Sequence, residues 1–216
     1  RAHGDKAVFS GNLGTFFHDM CDFFGMEEYF VRMYTDPQVV HAATDRLVDF
    51  YVEANDRFFR EAGDSFDIFL IVNDFGTQRD LFMSLEQFRT FILPGFRRLI
   101  EVGKKHGKVI MLHSCGSIYR VIPDLIDAGV DILHPIQAMA AHMDAETLAR
   151  EFGRDLAFCG GVDTQDKLVN WSPEQIREEV LRLRDVFGGN LIVSDEEILP
   201  NIPIENMIAM ARAAKE

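Results

Sequence analysis

Short apolar runs alternate with amphipathic stretches along most of this chain. "FDIFLIV" (66–72), "KVIMLH" (108–113), "VDILHP" (130–135), "LAFCGG" (156–161) and "NLIVSD" (190–195) are each about one strand long. Near-continuous apolar runs of this length fit strands buried on both faces. Between them the period changes. From Leu85 to His106, Phe88, Phe91, Ile92, Phe96, Leu99 and Ile100 recur at steps of three and four, which predicts a helix. Further helices are expected at 118–129, around 144–152, at 173–187 and at 203–215. Gly63, Gly107, Gly129, Gly153 and Gly188 mark helix ends, and Ser172 before Pro173 marks a helix start. A sixth strand is expected at "AVFSG" (7–11). The mostly helical segment 12–63 reads as an insertion over one mouth of the sheet.

Alternating strands and helices mean parallel βα units. Six such units fit an open doubly wound sheet, or the last six units of an eight-stranded barrel whose first strands precede Arg1. No linker or low-complexity tract divides residues 1–216, which are expected to form a single domain.

Composition narrows the partners. The net charge of −13 over 216 residues argues against nucleic acid and against an anionic membrane surface, both of which select clustered Lys and Arg. No apolar stretch approaches the length of a spanning helix. Three cysteines, an odd number, do not make a disulfide framework and point to a reducing cytoplasm.

The chemistry follows the strands. Asn73, Asp74 and Gln78 come after the 66–72 run, and His113 and Cys115 after 108–112. His134 and Gln137 end the next unit, Cys159 and Asp163 the one after, and Ser194, Asp195, Glu196 and Glu197 the last. In parallel α/β folds the carboxyl ends of strands converge on one face, where ligand sites form. His113 and Cys115, two apart, can face the same side as the chain leaves its strand. Imidazole nitrogen and thiolate sulfur suit Zn²⁺, and Cys159 or the acids Asp195 and Glu196 offer further donors. Such a set with one open position is the layout of a catalytic zinc site. The other histidines, His18 among them, read as surface or insertion residues, and Cys21 reads as core. Phe16, Phe17, Phe23 and Phe24 are candidates to wall an apolar pocket for a large flat ligand.

The segments "HSCGSIYRVIPDLIDAGVDILHPIQ", "FCGGVDTQ" and "LPNIPIENMIAMARAA" together resemble the uroporphyrinogen decarboxylase superfamily, in its corrinoid-linked methyltransferase-like branch. "NDFGTQ" (73–78) is similar to that branch's D-D-x-G-x-Q-like segment, with Asn73 in place of the first acid. The resemblance implies a TIM (β/α)8-type barrel, here without its first one or two strands. It also implies a zinc methyltransferase that moves a methyl group between a corrinoid (cobalamin) and a thiol or methoxylated small molecule, with a corrinoid protein as partner. A homodimer is compatible with this reading. The branch's third zinc ligand is a cysteine after the last strand, a place held here at or near Asp195. The expected metal set is therefore His113 and Cys115 with a third ligand from Cys159, Asp195 or Glu196. Asp74 and Glu196 take catalytic roles, and Asn73, Gln78, His134, Gln137 and Asp163 line the substrate cleft. A metal-free tetrapyrrole decarboxylase and a non-catalytic corrinoid- or tetrapyrrole-binding module are the alternatives.

Overall fold

The computed structural model describes residues 6–10, 14–194 and 198–216. Helices α1 (Phe16–Phe24), α2 (Met26–Thr35) and α3 (Pro37–Ala62) precede strand β1 (Ile68–Val72). Then come α4 (Leu85–Gln87), a π-helical turn (Phe88–Ile92) and α5 (Leu93–Lys105). Strand β2 (Val109–His113) leads to α6 (Ile122–Ala128), and β3 (Ile132–Ile136) to α7 (Ala145–Phe152). Strand β4 (Ala157–Gly160) is followed by α8 (Lys167–Asn170) and α9 (Pro173–Val186), and β5 (Leu191–Ile192) by α10 (Ile204–Ala213).

The five strands pair in parallel and in sequential order, β1-β2-β3-β4-β5. That order decides between the two expected architectures. A doubly wound sheet reverses direction at a switch point, whereas simple progression with right-handed crossovers places every helix on one face. The sheet is therefore wall of a (β/α)8-type barrel. The predicted strand at 7–11 contributes one bridge, Phe9 to Ile68, continuing the wall beyond β1.

Alternation along the strands explains the continuous apolar runs. Phe69, Ile71, Ile110, Leu112, Leu133 and Phe158 belong to the large core between the sheet and the helices. Their neighbours Ile68, Met111, Ile132 and Cys159 form a separate small cluster, joined by Leu70 and Ala157, on the inner face.

The helical pattern at 85–106 holds a local widening. Pro94 has no N–H to give, and just before it the Leu93 N–H reaches the Phe88 carbonyl, one residue beyond the α-helical partner. Side chains at the strands' N-terminal ends tie the wall together. Asp67 accepts the Val8 N–H at 3.0 Å. Asp131 accepts the Ile110 N–H at 2.7 Å and the Lys104 ammonium at 2.6 Å. Lys108 donates to the Phe66 carbonyl at 2.9 Å.

Candidate metal centre at the barrel mouth

The opposite ends of the strands carry the chemistry. His113 shares the inward parity of Met111, and β2–β3 register places it beside His134. The two Nδ1 atoms are 2.9 Å apart. The other edge of the His113 ring faces two more groups, with Nε2 3.5 Å from Cys115 Sγ and 3.5 Å from Asp74 Oδ1. Asp74, His113 and Cys115, all half-buried, can place one donor atom each within 4.8 Å of one another.

These spacings fit a transition-metal ion. Donors bonded at about 2.0–2.3 Å in a tetrahedral zinc site stand roughly 3.3–3.6 Å apart. Both distances from His113 Nε2 fall in that interval. The donor set of nitrogen, sulfur and carboxylate oxygen is also one that zinc accepts.

Backbone contacts build the cluster. Asp74 Oδ1 accepts the Cys115 N–H at 2.8 Å, joining the loop after β1 to the loop after β2. Ser114, fully buried, accepts the Phe75 N–H at 3.0 Å and gives its own N–H to the His134 carbonyl at 2.7 Å. Gln137 accepts the Gly116 N–H at 2.6 Å, which braces the same loop from β3. His18 completes the surround from α1. Its Nε2 accepts the Asp74 N–H at 2.9 Å, so that nitrogen carries a lone pair and the ring proton sits on Nδ1. Burial, followed by the nearby His113, pushes the His134 pKa down to about 4, so this ring is neutral at pH 7.

The structure redistributes several expected roles. Asp74, expected in a catalytic role, stands beside His113 and Cys115, where the expected third donor was Cys159, Asp195 or Glu196. Cys159 is 4% exposed and packs in the inner layer with Ile68, Met111 and Ile132. Burial raises its thiol pKa to about 11, against the opposing hydrogen bond with Ser194. Asn73 has no exposed surface and does not face the cleft. Its Oδ1 accepts the Phe17 N–H at 3.0 Å and its Nδ2 donates to the Gly14 carbonyl at 2.7 Å, fixing the first turn of α1. Asp163 is buried, its carboxylate taking the N–H groups of Gln165, Asp166 and Lys167 at 3.2, 2.8 and 3.0 Å in the turn that leads into α8. Gln78 is exposed and receives the Ala141 N–H on its backbone carbonyl. Asp195 and Glu196 lie outside the described residues.

The four phenylalanines do not share a pocket. Phe16 and Phe17 are fully buried in the core, Phe24 stacks on Tyr29, and Phe23 is 73% exposed. Cys21 is core, as its amphipathic surroundings predict. His18 is the residue that sequence reasoning missed. Its place depends on how the insertion docks, and no spacing announces that.

The environments predict thiol reactivity. Burial first, then the nearby Asp22, raises the Cys21 pKa to about 11, the same value as Cys159. At pH 8 both are almost wholly protonated and shielded, while Cys115 is half-buried at the mouth. Iodoacetamide is expected to alkylate Cys115 at least tenfold faster than either buried thiol. Peptide mass mapping over time checks this, and equal rates at Cys115 and Cys159 would contradict the assigned burial.

A histidine, a thiol and a carboxylate at the mouth of a parallel barrel wall define the class, and comparison with known proteins supplies the family. Residues 2–216 match the family model described as uroporphyrinogen decarboxylase (URO-D), and the chain belongs to that family. It is 30% identical over 186 residues to a methylated-thiol–coenzyme M methyltransferase of Methanosarcina mazei, covering 84% of this chain and 46% of the relative. The chain thus spans about half the length of that curated relative. A solved methyltransferase structure, also from Methanosarcina mazei, has the same fold, with a TM-score of 0.76 at 19% identity. That match covers 98% of this chain and 59% of the other. Among the described residues no helix is long and apolar enough to cross a membrane.

Proposed function

We propose that this chain carries the metal site of a methyltransferase that moves a methyl group between a corrinoid and a thiol or methoxylated small molecule. The observation that carries the reading is the Asp74–His113–Cys115 cluster, in which His113 Nε2 stands at metal-ligand spacing from the other two donors. The methylated-thiol substrate in the relative's name supports it.

His113 through Nε2, Cys115 through Sγ and Asp74 through Oδ1 would hold zinc. Zinc bound there supplies the positive charge that keeps a substrate thiol deprotonated at neutral pH, and so nucleophilic toward a methyl group. The chain's own groups shape the rest of the site. His18 and Gln137 hold the two loops by hydrogen bonds to the Asp74 and Gly116 amides, which limits movement of the donors. Asp195 and Glu196 remain candidates for an additional oxygen ligand and for acid–base work, and Gln78 for substrate contact. The methyl carrier would be a cobalamin on a separate protein that meets the barrel mouth.

Elemental analysis of the chain purified without chelator is expected to find about one zinc, lost in both His113→Ala and Cys115→Ser. Thiol-dependent demethylation of methylcobalamin, followed by its visible spectrum, is expected in the wild type and absent from both variants. Protein that neither retains zinc nor takes it up on titration sinks this reading. The family's description would then favour metal-free decarboxylation, tested by binding of a tetrapyrrole acid.

A further inference from the structure

We infer that His134 is a positioning residue that fixes which nitrogen of His113 is offered to the metal. The inference rests on the metal reading and adds a residue that donates nothing to the ion.

The strands set the contact. His113 and His134 end adjacent parallel strands in register, both directed to the inner face. The main chain holds that level from two sides. The Asn73 N–H bonds the His113 carbonyl at 3.0 Å and the Ser114 N–H bonds the His134 carbonyl at 2.7 Å. The ring centroids are 4.9 Å apart with planes tilted by 50°, so the rings meet through their nitrogens and not as a stack. Nδ1 meets Nδ1 at 2.9 Å.

Proton counting then assigns the tautomers. Two facing nitrogens form a hydrogen bond only when one holds a proton and the other a lone pair. Cys115 Sγ and Asp74 Oδ1 both lie on the Nε2 side of His113, so Nε2 must present the lone pair to the ion. The His113 proton therefore sits on Nδ1 and is donated to His134 Nδ1, and the His134 proton sits on Nε2. A ligand imidazole held in this way is fixed in rotation and made more basic. Loss of such a partner generally weakens metal binding about 10–100-fold. Here the partner is a second imidazole.

Three versions of the chain test this: wild type, His134→Ala and His134→Asn. Zinc affinity is measured by competition with a chromogenic chelator, with folding checked by circular dichroism. H134A is expected to bind zinc about 10–100-fold more weakly. H134N, whose amide oxygen can accept where Nδ1 did, is expected to stay within about threefold of wild type. Two-bond ¹H–¹⁵N spectra of the zinc-loaded wild type are expected to show His113 with a protonated Nδ1 and a metal-bonded Nε2. H134A binding as tightly as wild type would overturn the inference. So would H134N falling as far as H134A, or zinc on His113 Nδ1. Should H134A fail to fold, the wild-type spectrum and the H134N affinity still decide. A wild type without zinc overturns the metal reading itself, and this appears before any variant is compared.

Discussion

Gly116→Ala is expected to cost about 3–5 kcal/mol of folding stability, adding left-handed backbone strain to forced overpacking. Gly116 has φ +81°, where an L side chain is strained. The added Cβ would stand only 2.4 Å from the Gly76 carbonyl carbon and oxygen and 2.7 Å from the Thr77 oxygen. All three atoms are backbone. The Ser117 N–H holds that same segment through the Thr77 carbonyl at 2.7 Å, so it cannot retreat cheaply. The loop carrying Cys115 must then move away from the loop carrying Asp74. Urea denaturation should show the lost stability, and zinc uptake should fall with it. An unchanged midpoint would mean that the two loops are not packed as described.

Asn73→Asp, which restores the acid of the resembling segment, is expected to destabilise the fold by about 2–4 kcal/mol at pH 7. Asn73 uses both halves of its amide in a site without solvent exposure. An ionised carboxylate keeps the Phe17 N–H but cannot donate to the Gly14 carbonyl, and it buries a charge. A protonated aspartic acid can make both bonds, so burial raises the folded-state pKa of this group above the ordinary value of about 3.9. The penalty is therefore smallest below the unfolded pKa and grows as pH rises through the folded pKa. Denaturation curves at pH 4 and pH 7 check the sign. A deficit that is the same at both, or larger at pH 4, would show that Asn73 does not donate as described.

The wall was legible because burial on both faces leaves a simple trace. Ile68 and Leu70 face inward while Phe69 and Ile71 face the helices, so the run reads apolar throughout. The Leu85–His106 period found its helix but not the π-helical turn, since Phe88, Phe91 and Ile92 keep the same buried side whether the turn is α or π. At the mouth, position after a strand was enough to gather Asp74, His113 and Cys115. It did not show that the Cys159 thiol is buried against Ile68, Met111 and Ile132, outside the donor group found among the described residues. Nor did it show that the Asp163 carboxylate is held by the amides of Gln165, Asp166 and Lys167 in the turn before a helix. That helix, Lys167–Asn170, has too few residues to show a period. His18 arrives from a segment docked through Asn73, a contact across 56 residues that no local pattern encodes.

The tethers at the far end of the strands have an evolutionary consequence. Asp67, Lys104, Lys108 and Asp131 secure the frame through bonds that share no atom with the Asp74–His113–Cys115 cluster. A lineage can therefore exchange donors at the mouth, trading one reaction for another, while inheriting an intact foundation.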